Sequence, residues 1–347
     1  MTASAPPSGP LADALAHRAR APVFWPVWLR RAVRLPGLAG LATGLGVLAL
    51  ILVLDHPGGI AGALAAPQPL AWGRALFFAL SLALLVEFAA HIPLAAQGDL
   101  EALGGELTLS AAERARLSAA LVGQEGWVTA AYAGLGAVLG LVHAGFGVGF
   151  TAAPGVALGT VLLWSLMVQT GVQLVGNAQL FAALGAQATR PAPLAPERLY
   201  PFVRAALRPM LLIMSLLAAY PLMLLARPGW ALDTLVGPLA TLALALAAVW
   251  FPLRGLAAGM ARAREAALAR VDAALAGAWE GLERDTGGPE RLEALLALRE
   301  RLRRAPGLPL AVPGVAKAML YLALPLATWT GKGFGEAVLN RIFGAGM

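Results

Sequence analysis

The sequence predicts an all-α fold: a polytopic transmembrane helical bundle of six to seven spans, with a cytoplasmic antiparallel helical hairpin before its last hydrophobic segment. Three observations carry this. Of the 347 residues, 59% are hydrophobic and 13% charged, against roughly a quarter charged in an average soluble domain, and the mean hydropathy is +0.72. Apolar runs of about 20 residues, the length that crosses a hydrocarbon core about 30 Å thick, recur almost end to end. The basic residues fall between alternate runs.

Composition narrows the chemistry. Without cysteine the chain has no disulfide, no thiolate metal site and no cysteine nucleophile. Arginine far outnumbers lysine, and with the abundance of alanine and leucine this points to the coding bias of a GC-rich bacterial genome. A net charge of +7 is read as cytoplasmic loops facing anionic lipid, so no nucleic-acid partner is expected.

The elements follow in order. Residues 1–35 form a disordered or interfacial basic segment whose first 22 residues are rich in Pro and Ala, with Trp25 and Trp28 at headgroup level. It is too long before the first apolar run to be a secretion signal. A bundle spanning 36–253 holds six expected spans, near 36–54, 72–96, 127–150, 156–182, 206–226 and 235–253. Within it Ser110 to Glu113 reads S-x-x-E, a capping box opening a short helix near 111–122. A cytoplasmic N-terminus places 22 of the 26 basic residues on one side, leaving Arg74, Arg227, Lys332 and Arg341 opposite. The positive-inside rule selects that orientation, in a bacterial cytoplasmic (inner) membrane.

Residues 254–305 are expected to be the hairpin. Leu268, Val271, Leu275, Ala278 and Leu282 alternate spacings of three and four, a coiled-coil seam. A Gly-Gly-Pro break at 287–289 stops one helix and restarts another, and Leu292, Leu295, Leu298 and Leu302 line the second. The seam either closes within the chain or binds a cytoplasmic protein partner or a second copy. Residues 306–347 hold a shorter hydrophobic segment, 313–330, which decides the side of the C-terminus.

The stretch 235–330 carries F-P-L-R-G after a span, the helices R-E-A-A-L-A-R-V and L-E-A-L-L-A-L-R-E-R, a Pro-rich re-entry and a closing L-P-L-A-T-W. In this it resembles a group of uncharacterised prokaryotic multi-spanning membrane proteins with a cytoplasmic helical hairpin. The resemblance implies architecture and no activity.

Two constellations are candidates for function. Glu87 and His91 stand at i and i+4 on one helix face inside an apolar run, where ionisable groups are costly and normally face a bundle interior or water path. They are either a proton or ion pair or a structural pairing. Gln169, Gln173 and Asn177 recur every fourth residue, widened by Ser165 and Thr170. This polar stripe either lines a solute pathway or joins helices through amide hydrogen bonds. Gly40 with Gly44 and Gly136 with Gly140 are small-xxx-small packing signals.

No H-E-x-x-H, G-x-S-x-G or phosphate-loop signature is present, and the four histidines are separated by topology. No cofactor or metal is expected. A hydrolase built from Ser215 and His143 has nothing in its spacing to favour it. The sequence therefore points to a non-enzymatic membrane scaffold or regulatory protein presenting the hairpin. The alternative is a small-solute or proton-coupled transporter using Glu87, His91 and the stripe.

Overall fold

The structure, a computed structural model, describes residues 18–147, 153–187, 194–224, 233–283 and 289–305, with 320, 321 and 323. The described residues are helical apart from turns and one isolated bridge. In chain order the α-helices are α1 (Trp25–Val33), α2 (Leu38–Asp55), α3 (Gly59–Ala65), α4 (Pro69–Ala102), α5 (Ala111–Val122), α6 (Gly126–Gly147), α7 (Pro154–Gln187), α8 (Tyr200–Ala219), α9 (Asp233–Glu283) and α10 (Pro289–Arg304).

Among the described residues five helices are long and apolar enough to cross a membrane: α2, α4, α6, α7 and the segment Glu197–Met223 that contains α8. α4 and α8 lie inside, while α2 and α6 are peripheral and expose Leu41, Leu45, Val138 and Val142. In water such exposed leucine and valine rows would be an unmet apolar patch. Against acyl chains they are in their own solvent.

The sixth expected span, 235–253, is part of α9, which runs unbroken for 51 residues, about 77 Å at 1.5 Å per residue. F-P-L-R-G therefore continues the helix of the expected span into the hairpin region. Pro252 sits inside it, and the next glycine is used for packing: a Cβ on Gly255 would stand 1.9 Å from the Ala182 carbonyl, and one on Gly259 2.4 Å from that of Gly185. Backbone contact of this closeness is what glycine permits between helices. The anticipated small-residue pairs behave likewise. Gly40 and Gly44 meet the Ala83 and Ala79 carbonyls of α4, while Gly136 and Gly140 of α6 meet Ser165 and Val161 of α7.

Two apolar cores fill the bundle. One gathers Leu103, Leu121, Leu184, Phe202 and Leu256 around α4, α5, α7, α8 and α9. The other packs Ile51, Phe78, Leu82 and Val156 where α2, α4 and α7 meet. There Asp55, closing α2, accepts the Gly155 and Val156 amides at 2.5 and 2.9 Å, satisfying orphan donors at the start of α7. The Ser110 capping box is formed, Glu113 Oε2 accepting from the Ser110 amide at 2.8 Å.

α10 lies against the C-terminal part of α9. Arg299 Nε meets Asp272 Oδ1 at 2.7 Å, and Arg264 Nη2 donates to the Arg303 carbonyl at 2.7 Å. Val271 and Leu302 are buried, and Leu268, Leu275, Leu292, Leu295 and Leu298 are half-buried among exposed neighbours. The side chain of Leu282 and, of the expected last segment 313–330, all but 320, 321 and 323 lie outside the described residues.

The end of the N-terminal segment is held against the bundle. Residues 18–24 are tied to the loop after α5: Phe24 N donates to Val122 O at 2.8 Å and Gln124 N to Pro22 O at 2.9 Å. The reason is apolar, since Phe24 and Val27 are buried against Ala89 and Val122.

Candidate functional site: the polar stripe beneath the N-terminal segment

The stripe on α7 is buried. Gln169, Thr170, Gln173 and Asn177 are all nearly inaccessible, Gln173 at 2%. Buried amides require partners, and the N-terminal segment supplies them. Arg18 Nη2 donates to Gln173 Oε1 at 2.8 Å and to Asn177 Oδ1 at 3.1 Å, and Trp25 Nε1 donates to Gln169 Oε1 at 3.1 Å. Gln173 in turn donates from Nε2 to the Leu121 carbonyl at 2.8 Å. Gly176 makes room for this, because a Cβ there would lie 2.5 Å from Arg18 Nη1. Burial lowers the Arg18 pKa to about 10, so the guanidinium stays cationic at neutral pH.

Glu87 and His91 share a helix but not a setting. Glu87 Oε1 accepts the Gly37 N–H at 3.2 Å and lies 3.5 Å from Arg30 Nε. His91 is exposed on the bundle surface, edge-on to Phe88. Ser215 donates to the Leu211 carbonyl of its own helix, and His143 accepts from the Trp164 indole at 3.0 Å. Among the described residues no group of three or more His, Asp or Glu is arranged to hold a metal ion.

A cluster that sequence reasoning missed lies at the end of α4. Asp99, 1% exposed, is held by two arginines of α8: Arg204 Nη2 reaches Oδ1 at 2.8 Å, while Arg208 grips both oxygens, Nη1 on Oδ2 and Nη2 on Oδ1. The available signal was an acidic residue one turn beyond an apolar run, matched by basic residues at i and i+4 opening another span.

Every carboxylate named faces a guanidinium or backbone N–H, the three stripe amides accept from the N-terminal segment, and the Thr170 hydroxyl is buried without a partner among the described residues. No family model, no curated protein and no solved structure matches the chain.

Proposed function

We propose that this is a non-enzymatic protein of the bacterial inner membrane, N-terminus in the cytoplasm, whose bundle is a rigid mount for an arginine-rich helical hairpin formed by the end of α9 and by α10. The hairpin is the working surface, held for a cytoplasmic protein partner or a second copy of the chain. The observation that supports this is the use made of the polar groups. One segment, residues 18–37, engages Gln173, Asn177, Gln169 and Glu87. A translocation route through the stripe and Glu87 would need those groups to meet a solute instead.

Supporting it further, α9 is continuous from the bundle into its contact with α10. A rigid helix of that kind transmits position between membrane and hairpin. On the exposed faces of the two helices Arg270, Arg291, Arg301 and Arg303 stand among Glu265, Glu290, Glu293 and Glu300, a surface of mixed charge that can pair with a partner's complementary pattern.

The test is genetic complementation of a null strain by two variants made in the full chain. One replaces 256–304 by a short flexible linker; the other carries Glu87→Gln with Gln173→Ala. The proposal expects the first to fail while reaching the membrane at normal level, and the second to complement if it folds. The opposite pattern overturns it in favour of the transporter.

A further inference from the structure

Between the start of α6, the C-terminal half of α7 and the N-terminal segment lies an open cleft of about 700 Å³. Its inner end is polar and incompletely bonded. Gln124 is 5% exposed, yet neither its amide nitrogen nor its oxygen has a partner among the described residues, and Arg18 Nη1 is likewise buried and unpartnered. A buried amide left without partners costs free energy that a bound polar group recovers. Two unused donors, Arg18 Nη1 and Gln124 Nε2, are of the kind that holds a phosphate oxygen.

The lining excludes other anions by its charge sum. Arg18 is its one cation and Glu125 its one carboxylate, so the cleft as a whole is neutral. An inorganic phosphate dianion would meet one positive charge and one negative. A headgroup that carries both signs meets a partner for each. The remaining walls are apolar: Val128 and Tyr132 from α6, Val168, Val172 and Val175 from α7. They lead outward to Trp127, 71% exposed, whose indole donates to Glu125. Residues 124–127 stand at the very start of α6, the level at which headgroups and indole rings settle.

We propose that this cleft is a binding site for one zwitterionic phospholipid, its phosphodiester on Arg18 and Gln124, its ammonium on Glu125, and an acyl chain along the valine wall. The site depends on the chain residing in a bilayer and not on the role of the hairpin.

The experiment places the full-length protein in nanodiscs holding equal amounts of a phosphoethanolamine lipid and a phosphoglycerol lipid. It is then released by mild detergent, and retained lipid is read by native mass spectrometry. The wild type is expected to keep one phosphoethanolamine lipid in preference to phosphoglycerol. Glu125→Gln should remove that preference, and Val128→Trp, which fills the cleft without touching its polar end, should abolish retention at unchanged helicity. Inorganic phosphate should leave the thermal midpoint of the delipidated protein unaltered. Retention of neither lipid, equal retention of both by the wild type, full retention by Val128→Trp, or stabilisation by phosphate alone would each overturn the proposal. Arg18→Gln also cuts the bonds to Gln173 and Asn177, so the Glu125 and Val128 variants decide.

Discussion

Arg18 and Gln173 lie 155 residues apart and meet at 2.8 Å, in a contact that fastens the segment before the first span onto the fourth. A charged donor on a buried amide is among the stronger hydrogen bonds in a protein. Its removal is therefore measurable. Gln173→Ala should raise amide exchange at Phe24 and Gln124, whose N–H groups tie the same segment to the loop after α5, by roughly tenfold to a hundredfold for a loss of about 1.5–3 kcal/mol. Exchange in α2, remote from the contact, should not change.

The α7–α9 crossing makes a contrasting pair of glycines predictive. Gly255→Ala forces a methyl against the Ala182 carbonyl, whereas a Cβ on Gly277 of the same helix meets nothing within 4 Å. Overpacking of this kind costs about 1–3 kcal/mol. Thermal unfolding in detergent should show a clear loss for Gly255→Ala and none for Gly277→Ala.

Asp99 supports a double-mutant test. Asp99→Asn leaves two arginines facing a neutral group; removing one partner of a buried ion pair costs roughly 3–5 kcal/mol. The cost here falls at or below the lower end, since Arg204 is 41% exposed and can turn to water. Adding Arg208→Gln should recover part of the loss. Strictly additive losses in thermal stability would show that the pair does not act as a unit.

The cap of α5 carries a pH dependence. Hydrogen bonds from the Ser110 hydroxyl and backbone hold the Glu113 carboxyl below its ordinary range. A carboxylate depressed in the folded state adds stability that is present above its unfolded pKa and lost as pH falls through the folded one. Protection of the α5 amides should accordingly drop as the pH is taken below the normal carboxylate range. Ser110→Ala should cost about 1 kcal/mol at neutral pH and largely abolish that dependence.

How far the molecule is legible in its sequence depends on the range of each interaction. Hydropathy runs are local, and the helices they mark are present, as is the Ser110 capping box. The stripe was visible because Gln169, Gln173 and Asn177 share one face at fixed spacing. Its partner was not, because nothing around Arg18 distinguishes a bridging arginine from the other basic residues of the same segment. The packing role of Gly255 is likewise not local: propensity marks a helical glycine only as a cost of about 1 kcal/mol, and that cost is outweighed where α9 touches α7. Glu87 and His91 were paired by spacing, yet Arg30 and the Gly37 amide reach Glu87 from another segment.

A rigid mount requires that the N-terminal segment stay on the stripe while the protein works. Because the chain is free of cysteine, Trp25→Cys with Gln169→Cys gives a background-free pair at the 3.1 Å contact, which a short bifunctional thiol reagent can lock in native membranes. Efficient locking is expected, and the locked protein should complement a null strain as well as the unlocked double variant. Failure to lock, or loss of function only on locking, would mean that the segment must lift from the stripe and would contradict it.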